Sequence, residues 1–126
     1  MIYYLTLGTN DLGRATRFYD GVMATLGLTR ILTAASDVGY GKPGDASPGL
    51  YIVTPFDGAA ATHGNGTMLA LTAATRAAVR DFHATALVCG GSDEGAPGLR
   101  YSANFYACYV RDPDGNKLSA VCNLPE

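Results

Sequence analysis

The chain repeats itself, and the repeat constrains its fold more than any other feature. Tyr4, Leu5, Leu7 and Phe18 fall on Met68, Leu69, Leu71 and Phe82 at a constant shift of 64. Like patterns fold alike, so two similar units are expected. Each opens on a strand run, at 2–8 and 67–72. In the first, Leu12, Ala15, Phe18, Tyr19, Val22, Met23 and Leu26 recur at helical spacing behind the capping candidates Asn10 and Asp11, with Gly27 to close. This predicts a helix near 11–26. In the second, Val79, Phe82, Ala86 and Leu87 predict a helix near 75–89, opening at Thr75 and closed by Gly90 and Gly91. Three strand candidates follow each helix: 30–34, 38–41 and 50–54, then a weakly marked one near Ser92, 104–110 and 117–122. Leu50 and Tyr51 match Leu118 and Ser119 at a shift of 68, and Pro43 matches Pro113. Each half reads βαβββ.

A length of 126 residues suits one domain, 1–126, made of halves at about 1–56 and 67–126. Between them, 57–66 is rich in Gly, Ala and Thr and reads as an exposed connection. It holds His63, read as a solvated surface group; the other histidine, His83, reads as a partly exposed residue of the second helix. Net charge is −2, with nine Lys and Arg scattered along the chain, so no basic patch suits a phosphate backbone and nucleic acid is not expected as a partner. Apolar runs fall well short of the roughly 18 residues a membrane span needs, and no leader pattern opens the chain. A cytoplasmic protein without membrane attachment is the expectation. Cys89, Cys108 and Cys122 show neither disulfide nor metal spacing and read as small buried hydrophobes.

One stretch carries a family signal. Arg111-Asp112-Pro113-Asp114-Gly115-Asn116 lies between two strand runs, where proline and the aspartates start a tight turn and glycine supplies a positive φ. Together, the opening YYLTLGTNDLGRATRFYDGVMATLGL and the close YVRDPDGNKLSAV resemble the vicinal oxygen chelate superfamily, which includes glyoxalase I, bleomycin resistance proteins and extradiol dioxygenases. The likeness covers essentially the whole chain. It implies an α+β fold in which two βαβββ units form an incompletely closed, mixed-sheet barrel around a cavity, with helices on the outer side.

Alternation with period 2 assigns faces to the strands. If Leu5, Leu7, Leu50, Ile52, Leu69, Leu71, Leu118 and Ala120 face the helices, then Tyr4, Thr6, Tyr51, Val53, Met68, Ala70, Ser119 and Val121 face the cavity. Enzymes of the superfamily carry histidine and glutamate metal ligands on the first and last strands of each unit. Those positions here are Tyr4, Tyr51, Met68 and Ser119. Two phenols of pKa about 10, a thioether and a hydroxyl do not make a site for a hard divalent ion, so neither metal nor other cofactor is expected. Instead the tyrosines offer flat faces and hydroxyls suited to a planar organic molecule. One face of the strand at 104–110 lines the same cavity, which raises Phe105, Tyr106 and Tyr109; Tyr106 joins the ligand-binding set. No hydrolase, zinc-protease or phosphate-loop motif occurs, and Cys108 lacks a basic neighbour that would activate it.

Three functions fit this reading. The first is a metal-free protein that binds a small, planar or aromatic molecule in the barrel, as resistance proteins do. The second is a lyase- or dioxygenase-type enzyme with an altered, metal-independent site. The third is a structural module with a filled cavity. The resemblance also implies a homodimer, since superfamily members of this length commonly pair their units across a dimer.

Overall fold

The computed structural model describes all 126 residues. In chain order the elements are β1 (Leu5–Gly8), α1 (Leu12–Ala24), β2 (Thr29–Thr33), β3 (Asp37–Gly41), β4 (Leu50–Val53), β5 (Leu69–Thr72), α2 (Arg76–Val88), β6 (Ser92–Leu99), β7 (Phe105–Arg111) and β8 (Lys117–Asn123). They form two βαβββ units with two four-stranded sheets, ordered β1-β4-β3-β2 and β5-β8-β7-β6. The repeat is visible in the register. Leu5 pairs with Leu50 in the parallel β1–β4 ladder, and Leu69 pairs with Leu118 in the parallel β5–β8 ladder. The residues shifted by 64 and 68 therefore occupy equivalent places.

Capping sets both helix starts. The Asp11 carboxylate accepts a hydrogen bond from the Arg14 backbone N–H at 3.0 Å, and the Thr75 hydroxyl accepts one from that of Ala78 at 3.0 Å. Each helix lays an apolar stripe on its own sheet: Ala15, Phe18, Tyr19, Val22 and Met23 from α1, and Val79, Phe82 and Ala86 from α2. Leu50, Ile52, Leu118 and Ala120 meet these stripes as part of the core. Full burial contributes roughly 1.5–3 kcal/mol for each large side chain. The two helices pack on each other beside Gly21, where a Cβ would lie 3.1 Å from Cys89 Sγ.

Two strands differ from the sequence expectation. The run at 2–8 forms ladder only from Leu5, and Ile2, Tyr3 and Tyr4 lead into it exposed. Near Ser92 the weak signal conceals the longest strand of the chain, eight residues of β6. Its register breaks twice, between Asp93 and Gly95 and between Gly95 and Gly98. Pro97 cannot donate to a ladder, and glycines pack no side chain, so such a strand is tolerated only at a sheet edge, where β6 lies.

The turn 111–116 fastens one unit to the other. Asp112 is buried, and its carboxylate accepts bonds from the Tyr19 hydroxyl at 2.6 Å, Asn116 Nδ2 at 2.9 Å and the backbone N–H groups of Asp114 and Asn116, each at 2.9 Å. The Asp114 carboxylate accepts bonds from the Thr9 hydroxyl at 2.5 Å, the Asn10 N–H at 2.9 Å and the Arg14 guanidinium at 2.8 Å. Asn116 Nδ2 also donates to the Gly8 carbonyl at 3.0 Å. Sequence motifs about 100 residues apart thus meet in one polar joint at the start of α1. Burial, then the Asp112 carboxylate, push the Tyr19 phenol well above its ordinary pKa.

Candidate functional site

Away from the helices, each sheet presents a second face. On the first sheet this face carries Thr6, Tyr51 and Val53, with Asp37 opposite Val53 and Gly39 opposite Tyr51. Tyr4 leads into it, and its ring meets that of Tyr51 edge to face at 5.3 Å between centroids. An open pocket of about 880 Å³ lies here, lined by Tyr4, Thr6, Asp37, Val53, Phe56 and Asp57 among others. Its rim is the stretch 57–66, which is mostly exposed yet pinned. Ala61 exchanges two bonds with the Asn10 side chain, at 2.7 and 3.1 Å. The His63 ring lies against Gly115, so close that a Cβ there would be 2.6 Å from Cδ2. His63 is thus a packing contact of the polar joint.

On the second sheet, Ala70, Ser119 and Tyr109 lie in cross-strand register on one face, with Phe105, Ala107, Lys117 and Val121. Ser119 is 0% exposed, and its hydroxyl finds no hydrogen-bond partner. Two cations flank Tyr109, with Arg100 and the Lys117 ammonium each 5.8 Å from its ring centroid. Burial, then Tyr101, raise the Tyr109 phenol above its ordinary pKa. Met68 leads into β5 at 43% exposure, as Tyr4 leads into β1 at 54%.

The structure thus turns Tyr4, Tyr51 and Ser119 away from the helices and joins the first two. It does not gather the whole expected set. The 880 Å³ pocket includes Tyr4 but not Tyr51, Met68 or Ser119. No strand of one sheet packs against a strand of the other; within the chain the units join through α1, α2 and the polar joint, so no closed barrel forms. Tyr106 needs correction. It pairs with Cys122 on the helix-facing side of β7 and packs against the core. Its hydroxyl accepts from Arg80 at 3.4 Å, and Arg76 lies 5.3 Å from its ring centroid. Phe105 and Tyr109 occupy the other face. The alternation of β8, continued across its antiparallel neighbour, would have found them.

Asp37, Asp57, Arg100 and Lys117 were not singled out by sequence reasoning. Asp37 was accessible to it, by extending period 2 from Val53 to its partner in β3. Lys117 was accessible likewise, two residues before Ser119 on β8, whereas Asp57 and Arg100 lie outside the strands, where period 2 does not reach.

A divalent metal does not fit these residues. The four positions offer phenols, a thioether and a buried hydroxyl, and no three His, Cys, Asp or Glu side chains come together as a ligand set. Cys108 is no better as a nucleophile, since burial raises its pKa and its thiol points at the Val79 carbonyl at 3.6 Å.

Known structures share this architecture. A glyoxalase/bleomycin resistance protein from Albidiferax ferrireducens T118 is 36% identical over 94% of each chain, with a TM-score of 0.84. A glyoxalase/bleomycin resistance protein/dioxygenase family enzyme from Burkholderia phytofirmans PsJN is 20% identical over 98% of each chain, with a TM-score of 0.75. A lactoylglutathione lyase from Agrobacterium tumefaciens is 21% identical over 96% of this chain and 92% of its own, with a TM-score of 0.64. No protein-family model and no curated protein matches the chain. The first of these likenesses extends beyond fold to sequence, and the chain belongs to the glyoxalase/bleomycin resistance family, within the vicinal oxygen chelate superfamily.

Proposed function

We propose that the protein is a homodimer that binds a small organic molecule, planar or aromatic, without a metal ion. In this reading the first sheet of one protomer faces the second sheet of its partner and closes the ligand cavity. The observation that carries it is the open non-helix face of the first sheet: Tyr4 and Met68 stand exposed at equivalent places of the two units, and nothing within the chain covers the 880 Å³ pocket. Closed twofold pairing is also the commonest way for a small domain to cover apolar surface. Tyr4 and Tyr51 supply an aromatic wall with hydroxyls to orient the ligand, Met68 an adaptable apolar contact, and Ser119 a buried hydroxyl.

Three measurements test the proposal. Sedimentation at micromolar concentration should give a dimer; a monomer overturns the assembly. Metal analysis of protein purified without added ions should find no stoichiometric metal. A thermal-shift screen of planar aromatic metabolites and antibiotics should raise the melting temperature by mass action. For any compound found, Tyr51→Ala should weaken binding about tenfold or more, as expected for loss of an aromatic anchor. Unchanged affinity removes Tyr51 from the site.

A further inference from the structure

The second sheet's non-helix face carries a more specific arrangement than the cavity reading uses. Arg14, Arg30, Arg76 and Arg111 each pair with a carboxylate, but Arg100 and Lys117 do not. Both point their charge at the same ring, Tyr109. The carboxylates nearest along the chain are engaged elsewhere, Glu94 by Arg111 at 2.6 Å, Asp93 by His83 at 2.8 Å and Asp114 by Arg14 at 2.8 Å. Directly across the ladder from Tyr109, on the same face, lies the buried and unpartnered Ser119 hydroxyl.

The backbone is shaped to hold these groups. At Gly95 a Cβ would sit 2.9 Å from Tyr109 Cδ2, and at Gly98 one would sit 2.9 Å from Arg100 Nη1. The two glycines of the irregular strand β6 therefore let Tyr109 and Arg100 lie close against it. Arg100 is held further by donating from Nη2 to the Ala96 carbonyl at 2.8 Å. Next to it, Tyr101 takes a φ of +64, the only positive φ outside glycine. Bulky residues rarely adopt this conformation, and such positions gather at ligand sites. Here it sets the Tyr101 ring edge to face with Phe105 at 5.3 Å.

We propose that Arg100, Lys117 and Tyr109 form an oxyanion subsite for the carboxylate of a small aromatic acid, whose ring lies against Phe105 and Tyr101. This inference rests on the non-helix faces being a ligand cavity and adds the chemical class of ligand. The guanidinium and ammonium supply charge-assisted hydrogen bonds, and the Tyr109 hydroxyl supplies a neutral one. The aromatic pair supplies an apolar edge beside them.

The probes are benzoate, benzamide and inorganic phosphate, titrated into the full chain by calorimetry with NMR mapping. Benzoate should bind about tenfold or more tighter than benzamide, reflecting the charge-assisted bonds. Arg100→Gln combined with Lys117→Gln should remove that advantage and leave benzamide binding unchanged, whereas Lys42→Gln, in an exposed turn of the other unit, should change neither. Tyr109→Phe, which keeps both charges and the ring, should weaken benzoate by a smaller factor. Equal binding of benzoate and benzamide, unmoved by the double substitution, overturns the subsite while leaving the cavity reading in place. Phosphate binding without benzoate binding overturns the assignment to an aromatic acid. If none of the three probes binds, the subsite is overturned, and the wider screen judges the cavity on its own.

Discussion

The two units place hairpin turns at matching positions and use them differently. In the first, Lys42-Pro43-Gly44-Asp45 is exposed and closes on itself, with Asp45 accepting from the Lys42 N–H at 2.8 Å. In the second, Asp112-Pro113-Asp114-Gly115 is drawn into the joint with β1 and α1. Similar turn chemistry thus serves one unit locally and the whole chain in the other. The non-helix faces diverge likewise: an open pocket with two aspartates on one, two unpaired cations around Tyr109 on the other. The repeat is strict where residues face the helices and loose where they face away. The core has one packing solution to satisfy twice, whereas the non-helix faces do not share that constraint.

Removing the buried carboxylate should break the comparison most sharply. Asp112→Ala leaves the Tyr19 hydroxyl, the Asn116 amide and two backbone N–H groups without their acceptor, and is expected to cost about 3–5 kcal/mol in urea unfolding. Asp45→Ala, at the matching turn, should cost only about 0.5 kcal/mol.

High pH should act next. The Tyr19 and Tyr40 phenols are both pushed upward, first by burial and then by the Asp112 and Asp20 carboxylates that accept from them. A raised folded-state pKa means stability that is complete below the unfolded value of about 10 and lost as the pH climbs beyond it. Each phenol contributes a loss of up to about 1.4 kcal/mol per pH unit in that range. Absorbance of ionised tyrosine at these two positions should therefore appear together with unfolding, which Tyr19→Phe and Tyr40→Phe would separate.

A smaller contrast concerns two glycines. Gly115 has φ +90 and a Cβ would meet His63, whereas Gly44 has φ +88 and open space around it. Gly115→Ala should cost about 1–3 kcal/mol and Gly44→Ala about 0.5–1. Adding His63→Ala should bring the first toward the second; failure to do so would mean that the His63 contact adds no strain.

The smallest effect has the opposite sign. Ser119→Ala removes a buried hydroxyl that has no partner, so thermal unfolding of the ligand-free protein should be unchanged or stabilised by up to about 1 kcal/mol. Clear destabilisation would show that the hydroxyl is satisfied in solution.

Much of this was legible beforehand, for reasons particular residues show. Leu5, Leu50, Leu69 and Leu118 carry strong period-2 signals because one face of each strand must meet a helix. The turn at 111–116 was readable as a turn, but its engagement with Thr9, Arg14 and Tyr19 was not, since hydrogen bonds across about 100 residues leave no local pattern. Tyr106 was misplaced because aromatics occupy both faces of β7, so composition alone does not orient the strand. β6 was weakly marked because an edge strand tolerates the glycines and proline that usually end strands.

The sequence by itself determined the two βαβββ units and their helix-facing residues, since both follow from local periodicity. Only the tertiary structure decided that the stretch 57–66 is pinned, that Arg100 and Lys117 converge on Tyr109, that Ser119 is buried without a partner and that the two sheets stay apart. These depend on which distant surfaces meet, and burial, electrostatics and hydrogen bonding act between neighbours in space rather than along the chain.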